Sequence, residues 1–230
     1  MVDIQGKYNT AKVFTDNIDS AAYSQILNMM CQCWARDVQV RIMPDVHAGK
    51  DCTVGTTMTI KDKVVPNLVG VDIGCGMLVA KIKAKFIEFG KLDKVIKEKI
   101  PSGKEHRANR HRFGNEFDEK FEELIADVRR EELLSIGSLG GGNHFIEVDK
   151  DDEGNFYIVI HSGSRHLGVA TCEYWQNIAI KDCADLTAIR GAEIAKYKSQ
   201  GKTDAEIKEL MKDYDHFSVP KNLSYLPAFR

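Results

Sequence analysis

The chain has 230 residues, 43% hydrophobic and 29% charged, with a formal net charge of −2. That length and balance suit a globular protein with a substantial buried core. The near-neutral charge excludes a global electrostatic pull toward nucleic acid, so any such surface has to be a local patch. Six cysteines without a C-x-x-C pair, and a Met1–Lys7 start that lacks a basic-then-apolar leader, point to reduced thiols and a cytoplasmic location. No apolar run approaches the roughly 20 residues that span a bilayer.

In chain order, Ala11–Phe14 reads as a short extended segment. Asp19 or Ser20 then caps a helix through Tyr23, Ile26, Leu27, Met30 and Trp34, whose apolar positions repeat at helical spacing. Cys31 and Cys33 fall on different faces of that helix and read as packing residues. Val38–Met43 alternates strictly and predicts a strand stopped by Pro44. The turn Pro44–Cys52 crowds Asp45, His47 and Lys50, which suits either a ligand-facing loop or a plain solvated one. A β-branched strand is expected at 54–60, a hairpin tip at Lys61–Lys63, and a strand at 64–73.

That last strand leads into Val69-Gly70-Val71-Asp72-Ile73-Gly74-Cys75-Gly76-Met77. Its glycines permit a sharp turn that aims Asp72 and Cys75 at one point. A carboxylate and a thiolate so placed offer a hard and a soft donor to one cation or to an adjacent pair. The same residues also fit a buried small hydrophobe beside an aspartate bonded to its own turn. The pattern alone leaves both readings open.

A strand is expected at 77–82 and a helix through Phe86, Leu92, Val95 and Ile96, ending at Pro101. Ser102–Arg112 is polar and basic, with Lys104, His106, Arg107, Arg110 and His111. It suits either a phosphate-holding loop or a linker. A charged amphipathic helix is expected over 115–134, with Phe117, Phe121, Leu124, Ile125 and Val128 inward.

Ser138–Val148 follows, in which Gly140, Gly141 and Gly142 expose backbone N–H groups able to cradle phosphate oxygens. A strand at 144–148 starts with Asn143, His144 and Glu147. Strict alternation puts Asn143, Phe145 and Glu147 near one side and His144 on the other. A buried strand at 156–161 delivers His161-Ser162-Gly163-Ser164-Arg165, again a ligand-type residue where a strand meets a glycine turn. From Val169 the chain reads as helical to Tyr197, and Thr203–Glu206 as the N-terminus of another helix.

Four of these segments resemble the RtcB family of GTP-dependent RNA ligases, in order and at plausible intervals. They are Met43–Gly49, Val69–Met77, the Gly-Asn-His-Phe-x-Glu-Val core within Leu139–Val148, and Ile160–Arg165. The resemblance implies that Asp72, Cys75, His144 and His161 hold two manganese ions, with Cys75 the bridge. It implies that Asn143 and neighbouring glycines such as Gly142 contact GTP phosphates and that Glu147 contacts the guanine. Roles lining the same cleft are implied for Ser162–Arg165, Asp45 and His47.

The implied reaction joins RNA ends, tRNA halves among them, through a guanylyl-histidine, sealing a 2′,3′-cyclic phosphate or 3′-phosphate to a 5′-hydroxyl. An archease-like activator is an implied partner, and no membrane role is. The family's nucleophilic histidine matches nothing here, and His216 sits in an unlike context. A chain incomplete at its C-terminus is therefore expected, or a truncated homologue that binds without ligating. A metal-dependent phosphoesterase with the same ligands is the alternative activity. The expected fold is α+β: one RtcB-like domain over 1–230, with a mixed sheet core and outer helices.

Overall fold

Apolar alternation near the N-terminus builds a four-stranded sheet ordered β1-β2-β3-β4, from β1 (Val2–Gln5), β2 (Thr10–Val13), β3 (Val40–Ala48) and β4 (Thr53–Met58). The computed structural model describes all residues except 51, 72, 114–129, 213–218 and 229–230. β2 and β3 run parallel while the outer pairs are antiparallel. A parallel pair needs a crossover, and helix α1 (Ser20–Met30) lies in it. Asp19 caps that helix, its carboxylate accepting the Ala22 N–H at 2.8 Å. Ala22, Ile26, Met29 and Met30 fall on one helical face and are buried with Ile4, Val13, Val40 and Ile42. Each of the larger side chains contributes roughly 1.5–3 kcal/mol by leaving water.

Several local expectations are corrected. β3 does not stop at Pro44. It continues to Ala48 with a register shift, from Ile42 opposite Thr56 to His47 opposite Val54. Proline has no N–H to give a ladder and is tolerated at such an irregularity. Facing it is Gly55 at φ +83°, where an added Cβ would lie 3.1 Å from Asp45 Oδ1.

The expected strand at 64–73 is also absent. β5 covers only Lys63–Val64, pairing with β9 (Leu226–Pro227), and Pro66 then opens a single helical turn, α2 (Pro66–Val69). Proline's fixed φ suits the first helical position. Lys61–Lys63 therefore makes no hairpin. α1 ends at Met30, so Cys31 caps it and Cys33 sits in a following 3₁₀ turn, Cys33–Ala35. Of the helix expected over 115–134, only a 3₁₀ segment, Arg130–Ser135, lies among the described residues.

Two compact units divide the backbone: 1–71 with 173–230, and 72–172. In the first, Asn67 anchors the α2 turn. Its backbone N–H donates to Gln176 Oε1 at 3.1 Å and its side-chain amide to the Asn222 carbonyl at 3.0 Å. Gln176 in turn donates to the Lys221 carbonyl at 2.7 Å. Helix α4 (Arg165–Ser199) gives its first turns to the second unit and the rest to the first. Helix α5 (Asp204–Leu210) starts with a reciprocal cap between Thr203 and Glu206.

The second unit holds an antiparallel sheet ordered β6-β8-β7, from β6 (Gly76–Ile82), β7 (Phe145–Lys150) and β8 (Phe156–Ser162), with helix α3 (Phe89–Lys99). β7 and β8 form a hairpin whose turn is organised by Asp151. Its carboxylate accepts from the Asn155 N–H at 2.7 Å, the Asn155 amide at 2.8 Å and the Tyr157 hydroxyl at 3.0 Å. Those donors, the Asn155 amide foremost, hold the carboxyl below its ordinary pKa. The architecture is thus mixed α and β, with several sheets and five α-helices among the described residues. None of those helices is long and apolar enough to cross a membrane.

Candidate metal centre

The register of the second unit's sheet explains why residues far apart in sequence meet. In β8, the central strand, His161 is opposite Met77 of β6 and Phe145 of β7. Cys75 stands one residue before β6 and His144 one residue before β7. The three side chains therefore emerge at the same end of the sheet. Cys75 Sγ is 3.4 Å from His144 Nε2, and the ligand atoms of Cys75, His144 and His161 all lie within 4.8 Å of one another. The two imidazoles meet edge to face, with centroids 5.1 Å apart.

Sequence alternation put His144 on the side away from Phe145. His144 sits in the turn ahead of β7, outside the pleat, so strict alternation does not govern its direction. Two glycines make room for its ring. A Cβ on Gly140 would lie 2.7 Å from His144 Nδ1, and one on Gly163 would lie 3.0 Å from each ring nitrogen and closer still to Cε1. A glycine in both turns lets the backbone close on the imidazole and fix its position.

Arg165, expected only to line the cleft, adds a second layer of bonding around the cluster. It has φ +59°, uncommon for a residue with a side chain. Its guanidinium donates to the Gly103 carbonyl at 2.7 Å and the Glu105 carbonyl at 3.0 Å. The Gly103 N–H donates to the Gly140 carbonyl, and the Gly163 N–H to the Leu139 carbonyl, at 2.9 and 3.0 Å. The basic segment after Pro101, the glycine loop and the turn after β8 are thereby laced together around His144. Beside this lacing is a cleft of about 180 Å³, lined among others by Glu132, Ser138, Ser162, Ser164 and Arg165. The arginine's fork of donors was the available signal, but main-chain acceptors some 60 residues away leave no trace in sequence.

The remaining expected site residues are placed as follows. Asp72 lies outside the described residues, as does His216. Asn143 and Gly142 are exposed in the turn that carries His144, with Gly142 at φ +75°. Glu147 is exposed on β7, two residues beyond Phe145 and so on the same face of the pleat. Asp45 and His47 belong to the first unit, where the Asp45 carbonyl is 2.8 Å from His47 Nδ1.

One thiol and two imidazoles form a donor set for a borderline first-row cation rather than for magnesium or calcium, which take oxygen. Ion-to-sulfur and ion-to-nitrogen bonds of about 2.3 and 2.0–2.1 Å put two tetrahedral ligands roughly 3.6 Å apart. The Cys75–His144 separation of 3.4 Å meets that requirement without rearrangement. The residues fit a metal ion of this class.

The family described as tRNA-splicing ligase RtcB matches residues 25–130 and 114–207. The RNA-splicing ligase RtcB of Escherichia coli (strain K12) is 34% identical over 164 residues, 62% of this chain and 40% of that protein. The tRNA-splicing ligases RtcB of Methanococcus maripaludis and Archaeoglobus fulgidus are 25% and 27% identical, covering 77% and 57% of this chain and 49% and 38% of their own lengths. The chain thus spans less than half the length of these relatives. With family matches running from residue 25 to residue 207 and the sulfur–imidazole cluster between them, the chain belongs to the RtcB family.

Proposed function

We propose that this chain takes part in joining RNA ends, tRNA halves or other cleaved RNA, in the cytoplasm. A 2′,3′-cyclic phosphate or 3′-phosphate end is sealed to a 5′-hydroxyl end with GTP as the nucleotide. The convergence of Cys75, His144 and His161 in an RtcB-family chain carries this reading.

In it, Asp72, Cys75, His144 and His161 would hold two manganese ions. Bound manganese supplies positive charge to phosphoryl oxygens as negative charge builds on them. The backbone N–H groups around Gly142, with Asn143, orient the nucleotide's phosphates. The carboxylate of Glu147 accepts from the N–H edge of guanine, a base-specific contact that adenine does not offer in the same pattern. The guanylyl group is taken by a histidine, forming an N–P bond as pyrophosphate leaves. A cyclic end is first opened by water, which breaks the bond from phosphorus to the 2′-oxygen and leaves a 3′-phosphate; the guanylyl group passes to that 3′-phosphate, and the 5′-hydroxyl then displaces GMP. None of the described residues is assigned the nucleophile's role. An archease-like activator is part of the proposal.

The test incubates the protein with Mn²⁺, GTP labelled at the α-phosphate, and RNAs carrying the two end types. Labelled protein and joined RNA are the expected products. Opening of the cyclic phosphate without GTP would replace the reading with a phosphoesterase. Metal and nucleotide binding with neither product would replace it with a binding protein.

A further inference from the structure

The segment after Pro101 lies beside the metal cluster and is strongly basic. From Lys104 to Arg112 it carries four Lys or Arg residues against one carboxylate, Glu105, together with two histidines, in a chain of net charge −2. A merely solvated loop of this composition would have no reason to be tied down. This one is tied at Leu139 N–H to Pro101 O (2.9 Å), Gly103 N–H to Gly140 O (2.9 Å) and Arg107 N–H to Leu134 O (3.0 Å).

Two arginines serve that attachment, Arg107 of the segment itself and Arg165 from the start of α4. Arg165 holds the Gly103 and Glu105 carbonyls, and Arg107 donates to the Gly137 carbonyl through Nε and Nη2 at 3.3 and 3.2 Å. Lys104 and Arg112, by contrast, are exposed. At the far end Phe113 is 45% exposed although aromatic. The Arg112 guanidinium lies over its ring at 4.9 Å, and the His111 ring is 5.1 Å away, centroid to centroid. The two rings are tilted by 39° and leave the Phe113 face open to a further ring. Charges that track a backbone, followed by an exposed aromatic face beside a guanidinium, are the two elements of single-strand recognition.

We propose that Lys104–Phe113 is a strap for single-stranded RNA. Lys104 and Arg112 contact backbone phosphates, and an unpaired base stacks on the exposed ring of Phe113 beside His111 and Arg112. Arg107 and Arg165 are positioning residues that fix the strap to the glycine loop bearing His144. The inference rests on the RNA-joining reading and names the element that receives the strand beside the metal cluster.

The experiment measures fluorescence anisotropy of a short labelled single-stranded RNA with a 3′-phosphate, in buffer with neither metal nor GTP. The double variant K104A/R112A is expected to bind at least tenfold more weakly. Its log-affinity against log-salt slope should flatten by about 0.7 for each charge removed. F113A is expected to weaken binding roughly 5- to 100-fold with the slope unchanged, as loss of a stacked base does. K104R/R112K should restore binding, because the charges return without the original side chains. Unchanged affinity in both K104A/R112A and F113A overturns the strap. Equal competition by duplex RNA of the same sequence overturns its single-strand preference, and insensitivity to F113A alone reduces it to a polyanion contact such as an acidic peptide would make. Because the assay needs no metal, GTP or joining, its failure is separate from failure of the ligase reading. A strap that binds RNA in a protein that never joins it would sink only the latter.

Discussion

Cys75 Sγ and His144 Nε2 are 3.4 Å apart across 69 residues of sequence. Nothing local brings them together. The β6-β8-β7 order does so, by setting the residues that precede two outer strands on either side of the central strand's His161. Cys75→Ser keeps size and polarity but replaces a soft donor with a hard neutral one. Co²⁺ bound to the protein is expected to show thiolate-to-metal charge transfer, and the variant to lose that band. Affinity should fall roughly 100-fold or more, since loss of even an outer partner of a metal ligand costs about 10- to 100-fold. A charge-transfer band that persists in the variant would place the metal elsewhere.

The glycines around His144 separate a steric requirement from a conformational one. At Gly163 an added Cβ meets the His144 ring, so Gly163→Ala should displace the imidazole and weaken Co²⁺ binding at least tenfold. At Gly142 nothing lies within 4 Å of the added atom, but φ is +75°. Gly142→Ala should lower stability by about 1 kcal/mol through backbone strain, leaving Co²⁺ affinity unchanged. Denaturant midpoints and metal titrations of the two proteins distinguish these outcomes.

The sequence made the ligand-bearing turns legible because each sets a Cys or His where a strand meets glycine, and the RtcB resemblance linked them. What stayed hidden depends on partners that sequence does not display. Val64–Val71 is apolar enough for a strand, but Pro66 presets a helical turn and Val64 pairs with Leu226. Short apolar runs do not distinguish the two states by periodicity. β3 crosses Pro44 because the register shift against β4 and the positive φ of Gly55 accommodate an irregular strand. The cationic segment 102–112 looked equally like a linker, since its attachment runs almost wholly through main-chain carbonyls.

The sheet core of the first unit should respond as a close-packed interior. Ile42 has no exposed surface and sits with Val13, Val40 and the inner face of α1. Ile42→Val is expected to cost about 0.5–1.5 kcal/mol and Ile42→Ala about 2–5 kcal/mol, the second including the cavity left behind. Urea unfolding followed by tryptophan fluorescence measures both, with Trp34 buried in the same core. Equal midpoints for all three proteins would mean that this interior is not packed as described.

Arg165 offers a test of attachment that does not depend on activity. Lysine keeps the charge but cannot hold the Gly103 and Glu105 carbonyls with one planar fork. In Arg165→Lys the Gly103 amide, which donates to Gly140, should exchange with solvent roughly tenfold faster or more, a change of about 1.4 kcal/mol in local opening. Amides in the β7–β8 hairpin should keep their protection. Hydrogen exchange resolved to this segment reads the difference, and equal protection at Gly103 would show that the guanidinium is not what fastens the strap.

The cap of α5 gives a pH dependence with a defined sign. Glu206 Oε2 accepts the Thr203 N–H and hydroxyl, each at 2.8 Å. The backbone donor first, then the hydroxyl, holds its carboxyl below the ordinary value of 4.5. A carboxyl whose pKa is lower folded than unfolded stabilises the fold above the unfolded value, and that contribution disappears as pH falls through the folded one. Glu206→Gln removes the titration while keeping an acceptor at the same position. The native protein's denaturation midpoint should therefore exceed the variant's at neutral pH, and the two should converge as the pH drops below about 4.5, the unfolded value. Thr203→Ala, which removes the other half of the cap, should cost about 1 kcal/mol. A midpoint difference between the native protein and Glu206→Gln that stays constant from neutral to acid pH would show that the ionised carboxylate gives the helix nothing the amide does not.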